Sequence, residues 1–573
     1  MTTTTRDASR PQRGRGLIAL LDFAHVSHAR AALFLLALSL LAFLPGFFQI
    51  PPVDRDEARF AQATKQMVET GDYVDIRFQN EVRYKKPVGI YWMQAGAVKL
   101  GEKLGVPQAR TTIWLYRIPS LIGALGAVLL TYWAALVFVS RRGALLAGVM
   151  LGASILLGVE ARLAKTDAMQ LLFIVAVMGA MARIYLSDHR PGTADISGWK
   201  MPAIFWTAFA GGVLLKGPLI LMLVTLSALA LVAFDRSARW LWRLRPIPGI
   251  LWVTILALPW FVAILFRSGD TFLVESLGKD LFAKVASAQE SHGAPPGYYL
   301  ALFWVTFWPA APLTLLAAPA VWKARREPGT RFLLAWIIPA WIVFEIVITK
   351  LPHYVLPLYP AVAILTAGAL DTGLLSRKRW LVRGTSGWFI MPLVLCLAAI
   401  IISIYIGRQF DLLPWPFAAA AMIVGLIAWR LYQSDGAERS LMRAAAASIL
   451  IAAALYGLIF PSMTSLFPSV TLAEIQREAD CAEPIAASAG YHEPSLVFLA
   501  GTQTLLTDGA GAADFLRQGG CRFAFIDSRQ ERSFARRAEA IGLRYAQGPR
   551  IEAFNISGGR AITIAVYRAE AAP

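Results

Sequence analysis

Apolar runs of about 20 residues, the length an α-helix needs to cross the hydrocarbon core of a bilayer, recur along this 573-residue chain. Ala31–Phe48, Met169–Tyr185, Ile250–Phe266 and Ala445–Phe460 are clear examples. One such run can be hidden in a large core. Many in succession must lie in lipid, where the helix satisfies its own backbone polar groups. Only 16% of the residues are charged against 57% hydrophobic, so little polar surface is left for a soluble globule of this size. The runs predict a polytopic α-helical membrane protein with about 13 transmembrane helices over residues 31–460. Residues 1–30 form a basic cytoplasmic N-terminus, and residues 461–573 form a separate soluble α/β domain.

The N-terminal segment carries Arg6, Arg10, Arg13 and Arg15, and no small-residue cleavage site suits the run that follows. It reads as a retained first span that starts in the cytoplasm. The formal charge of +18 would suggest nucleic acid in a soluble chain. Here the basic clusters Arg141–Arg142, Arg236 to Arg245, Lys323 to Arg326 and Arg377 to Arg383 occupy short gaps between apolar runs. That is the positive-inside pattern. It sends the stretch 50–110, the loop 267–297 and the C-terminal tail to the opposite, periplasmic side of a bacterial inner membrane. Within the tail, Ser495–Ala500, Cys521–Ile526 and Ala561–Tyr567 read as strands and Glu531–Ile541 as a helix. Cys481 and Cys521 either pair in an oxidising compartment or stand as two free thiols.

The periplasmic face collects ionisable residues at the ends of several helices. They are Asp54, Asp56, Glu57, Arg59, Arg83, Lys85, Lys86, Asp167, Lys216, His292, Lys350, His353 and Tyr354. Taken singly, each has a structural reading. Asp54 and Glu57 have the spacing of a capping box opening a helix Asp56–Glu69 that stops at Gly71. Asp167 suits a cap, and Lys216 and Lys350 suit snorkelling anchors. Together, acids and bases on one membrane face point to a site. The chemistry that uses both is transfer from a lipid-linked phosphate. A carboxylate deprotonates an acceptor hydroxyl, and Lys and Arg hold the carrier phosphate as it leaves.

Asp-Glu-Ala-Arg-Phe-Ala (56–61), Gly-Asp-Tyr (71–73) and Lys-Lys-Pro-Val-Gly-Ile-Tyr-Trp (85–92) resemble the first periplasmic loop of the aminoarabinose transferase family, which is related to the protein mannosyltransferases. Ala-Arg-Leu-Ala-Lys-Thr-Asp (161–167), Leu-Lys-Gly-Pro (215–218) and Lys-Leu-Pro-His-Tyr-Val-Leu-Pro (350–357) continue the resemblance in order. It implies a GT-C fold, a polyprenyl-phosphate sugar donor and lipid A or another envelope glycan as acceptor, with inverting hexosyl or pentosyl transfer. It also implies Asp56 and Asp167 as the characteristic acids, with Arg59, Lys86 and Lys216 binding the donor phosphate; Arg83, which stands where the family has a tyrosine, joins the phosphate-binding candidates by its charge. Glu57, Lys350, Tyr354 and His292 are further candidates. Better-known members carry an acid before the loop lysine, paired with a histidine to hold a metal. Lys85 stands at that position, and a cation does not ligate a divalent metal. His292 is then the sole candidate ligand, which counts against a metal; no other cofactor is implied. The competing readings are a flippase of lipid-linked sugars, which would carry charges near mid-membrane, and an assembly protein whose tail is the working part.

Overall fold

The computed structural model describes residues 15–189, 198–269, 271–275, 293–407 and 411–569. Among them, eight helices are long and apolar enough to cross a membrane. A ninth span results if Arg141–Gly152 and Ile155–Ala161, bent by 62° at a short break, are taken together. His28–Phe43 and Trp415–Arg430 are shorter apolar helices. The chain is thus a multi-pass membrane protein.

The helix Asp167–His189 is the axis of the bundle and is almost wholly buried. Its closest approach is to Ile113–Ala135, where glycine permits it: a β-carbon on Gly123 would stand 2.5 Å from the Met169 backbone. Gly126 and Gly179 likewise receive Leu172 and Trp133. Lipid tails are as apolar as leucine, so close backbone packing of this kind holds membrane helices together.

The break after the bent pair is closed by a buried arginine. Arg162 donates through Nε to the Pro45 carbonyl at 2.7 Å, and through its terminal nitrogens to the carbonyls of Ala42 and Gly158. Ala42 and Pro45 flank the C-terminus of His28–Phe43, where carbonyls have no helical partner. The guanidinium also lies 4.4 Å over the Tyr456 ring.

The tail folds around a five-stranded sheet. Its strands are β1 (Ile485–Ala489), β2 (Leu505–Thr507), β3 (Arg522–Asp527), β4 (Tyr545–Asn555) and β5 (Arg560–Ala569), in the order β2-β1-β3-β5-β4. β1 runs parallel to β2 and β3, and β5 runs antiparallel to β3 and β4. The helix Glu531–Ala540 packs Phe534 and Ala538 onto it. Ser495–Ala500, expected as a strand, is instead the helix Pro494–Ala500. A proline at its first position suits a helix start, and its apolar residues are shared between the tail core, through Leu496, and the membrane domain, through Phe498. Cys481 and Cys521 form a disulfide.

Candidate active site

The loop helix Asp56–Thr70 carries acids in its first turn and ends at Gly71, whose φ of 73° is the left-handed stop the sequence anticipates. The capping box does not form. Arg55 takes the N-cap with φ 68° and no side-chain cap, while Asp54 turns away to accept from the Ser495 amide at 2.9 Å. Backbone in this sparsely populated region aims the next residue, Asp56, and is paid for by the contacts around it.

Those contacts centre on Glu57 and Arg117, a fully buried bidentate pair at 2.8 and 2.9 Å. Arg117 also donates to the carbonyls of Phe47, Ile50 and Pro51, and Glu57 accepts from the amides of Val53 and Ala164. One ion pair therefore joins the exit of the first apolar helix, the loop helix, the span Ile113–Ala135 and the turn leading to Asp167. Glu57 is committed to this joint.

Below it lies a chain of buried charges. Lys216, at the end of Lys200–Lys216, meets Asp167 at 2.5 Å. Lys165 lies 3.1 Å from Glu160 and 3.9 Å from Asp167. His353, in the 3-10 turn Pro352–Leu358, stands 3.7 Å from Glu160 and 3.6 Å from Asp167. Burial disfavours the Lys165 charge, but Glu160, Asp167 and Asp56 outweigh it and hold its pKa above the ordinary lysine range. Asp56 is open to solvent on one side and crowded by protein on the other. That crowding would raise its pKa, yet Lys165, Arg83 and His353 dominate and hold the carboxyl below its ordinary value. The result is an exposed carboxylate whose pKa is held down, beside a buried carboxylate held by two lysines.

Arg83 is buried with its guanidinium 5.0 Å over the Phe60 ring, and its Nε has no hydrogen-bond partner among the described residues. Arg59 lies one helical turn after Asp56, on the same face. Lys86 is half-buried and donates to the Lys85 carbonyl at 2.9 Å, while Lys85 is exposed. Tyr354 is half-buried with its ring 5.9 Å from the Lys216 amine. Lys350 is buried and donates to the Val347 carbonyl at 2.6 Å, a structural bond rather than a solvent anchor. His292 lies outside the described residues, which contain no group of three or more His, Cys, Asp or Glu placed to hold a metal ion.

Glu160 and Lys165 were missed as candidates. The signal available was their charge alone, in the otherwise apolar run before Asp167.

The outer side of the loop helix is covered by the tail. Lys65, buried, donates to the Phe498 carbonyl at 2.9 Å; Gln62 donates to Thr502 at 2.9 Å; Thr502 donates to Glu69 at 2.7 Å. Gln79 donates to the carbonyls of Thr502 and Thr504 at 3.0 and 2.6 Å. Burial, with Glu493 nearby, pushes Asp54 up to about 7.

The chain superposes on the crystal structure of ArnT from Cupriavidus metallidurans bound to undecaprenyl phosphate with a TM-score of 0.69, covering 93% of this chain and 97% of that one at 19% identity. The apo form of the same protein gives 0.70. The fold is that of the GT-C glycosyltransferases. In sequence, the chain is 29% identical over 341 residues to the undecaprenyl phosphate-alpha-4-amino-4-deoxy-L-arabinose arabinosyl transferase of Aeromonas salmonicida, covering 58% of each. It is also 29% identical over 371 residues to that of Pseudomonas paraeruginosa, covering 63% of this chain and 64% of the relative. The matched part spans about three fifths of those relatives. No family model matches the chain.

Proposed function

We propose that the chain is a glycosyltransferase that moves a sugar from a polyprenyl-phosphate carrier to lipid A or another envelope glycan or lipid, on the periplasmic side of a bacterial inner membrane. The observation that carries this reading is the exposed Asp56 carboxylate gathered with the buried Asp167–Lys216–Lys165 chain and with Arg83 and Arg59. The GT-C fold shared with a protein solved in complex with undecaprenyl phosphate supports it. The disulfide in the tail, on the same side as the site, suits an oxidising compartment.

In this mechanism the acceptor oxygen attacks the anomeric carbon as the bond from that carbon to the carrier phosphate oxygen breaks. The phosphate leaves with the bonding electrons, and configuration inverts. With a hydroxyl acceptor, Asp56 takes the proton. With a phosphate acceptor, already an anion, Asp56 orients it. The Arg83 Nε, Arg59 and Lys86 stabilise the charge gathering on the departing phosphate. Asp167 helps keep Lys165 charged and holds Lys216 in place. The flippase reading gains no observation: the charges gather at helix ends on one face.

The test is mass spectrometry of envelope glycolipids from a deletion strain complemented with wild type or Asp56→Asn. A species that lacks one sugar mass in the deletion, returns with wild type and stays absent with the well-expressed variant supports the reading and identifies sugar and acceptor. Full restoration by Asp56→Asn would sink it.

A further inference from the structure

On the face opposite the candidate site, four arginines are paired with acids. Arg142 meets Glu438 at 2.6 Å and Asp22 at 2.7 Å, Arg243 meets Asp188 and Arg331 meets Asp235, each at 2.8 Å, and Arg443 pairs with Asp435. Four others are not. Arg377, Arg379, Arg383 and Arg430 line one cavity of about 590 Å³ together with Thr385, Ser386, Trp429, Tyr432 and Gln433. No carboxylate lines it, and among the described residues none of the four is in ion-pair contact with one. The positive-inside bias accounts for basic residues at this face. It does not account for four exposed arginines lining one concave surface that carries no carboxylate and also offers neutral donors.

The cavity lies at a membrane boundary. It opens where the span Arg379–Tyr405 begins and the apolar helix Trp415–Arg430 ends. Its walls are braced by Trp429, stacked on Phe389, and by the Trp388–Tyr432 contact. Directly along the membrane from it, Gly387–Tyr405 exposes Ile390, Val394, Leu397 and Ile401, spaced at one helical face, and the neighbouring helix exposes Ile423 and Ile427. An anion seated among the arginines would have an apolar track for acyl chains beneath it. Guanidinium matches phosphate oxygens in pairs, and basic pockets between spans on the cytoplasmic side suit phosphate head groups.

We propose that this cavity binds the phosphate head group of an anionic lipid of the cytoplasmic leaflet, with four arginines favouring a lipid that carries two phosphodiesters. The site is independent of the transfer reaction and of the donor carrier on the other face.

The test is native mass spectrometry of the purified full chain titrated with cardiolipin, phosphatidylglycerol, phosphatidylethanolamine or, separately, inorganic pyrophosphate. Cardiolipin is expected to bind best and phosphatidylethanolamine least, with Arg377→Gln/Arg383→Gln weakening cardiolipin on the order of tenfold. Arg377→Lys/Arg383→Lys, which keeps the charge, recovers part of the loss, and Arg325→Gln/Arg326→Gln on the same face changes nothing. Equal binding by the glutamine variant overturns the proposal. So does equal loss in the Arg325/Arg326 control, which would mean a diffuse basic surface. Pyrophosphate that binds at the same concentrations and displaces cardiolipin would replace the lipid with a soluble phosphate and overturn the assignment.

Discussion

At the residue scale, Asp56 and Glu57 are neighbours with opposite fates. Asp56 is exposed to solvent, whereas Glu57 is sealed against Arg117. Replacing Asp56 by Asn is expected to reduce transfer by about 10² to 10⁴-fold, the usual contribution of a positioned base, while the folded protein and its thermal midpoint stay unchanged. Breaking the buried pair does the reverse. Arg117→Met strands a buried carboxylate and is expected to cost about 3–5 kcal/mol of stability, read as a lower thermal midpoint in detergent before any assay is run. As candidates, Asp167 and Lys216 stand out because their charge breaks apolar runs, and Asp56 because it opens the Asp-Glu-Ala-Arg motif of the polar loop. The separation of Asp56 from Glu57 was not legible, because it depends on Arg117, 60 residues away. Local spacing suggested a cap, and a tertiary ion pair took the residue instead.

At the element scale, the loop helix works on two sides. Its first turn presents Asp56 to the site, while Gln62, Lys65 and Glu69 hold the tail segment 493–504. Gln79→Ala removes two donors to that segment. Since each hydrogen bond contributes about 1 kcal/mol net, hydrogen exchange across 493–504 should accelerate on the order of tenfold. The seam should also respond to pH. The Asp54 carboxyl has a folded-state pKa of about 7 against an ordinary 3.8. A carboxyl shifted upward stabilises the fold when protonated, so its contribution is present below about 4 and lost as pH rises through about 7. Exchange in 493–504 is therefore expected to be slower at pH 5.5 than at pH 8. Asp54→Asn, which cannot ionise, should flatten that difference; an unchanged pH profile in the variant would place the sensitivity elsewhere. The helix itself, from its acidic first turn to Gly71, could be read from sequence. Its partner could not, because Ser495 is 441 residues from Asp54 and lies in a segment whose apolar content suggested a strand.

At the scale of the whole molecule, apolar run length and basic clustering were enough for a multi-pass helical bundle, since bilayer thickness and the positive-inside bias act on composition alone. Ordered motifs extended this to the GT-C fold. Sequence could not decide the cysteines, because pairing depends on the tail bringing Cys481 and Cys521 together across 40 residues. Replacing both by serine is expected to lower the stability of the tail by about 3 to 4 kcal/mol, measurable as selective proteolysis of residues 461–573 while the bundle stays intact.

The Arg162 clasp also bears on how the protein can be inserted. Its guanidinium is held by carbonyls at the end of His28–Phe43 and by Gly158, in a different helix. Neither helix can satisfy that charge alone, so the early hairpins cannot each complete themselves in lipid as they leave the translocon. The clasp closes only once Ile155–Ala161 lies beside the earlier helix His28–Phe43. Assembly order is thereby written into one side chain.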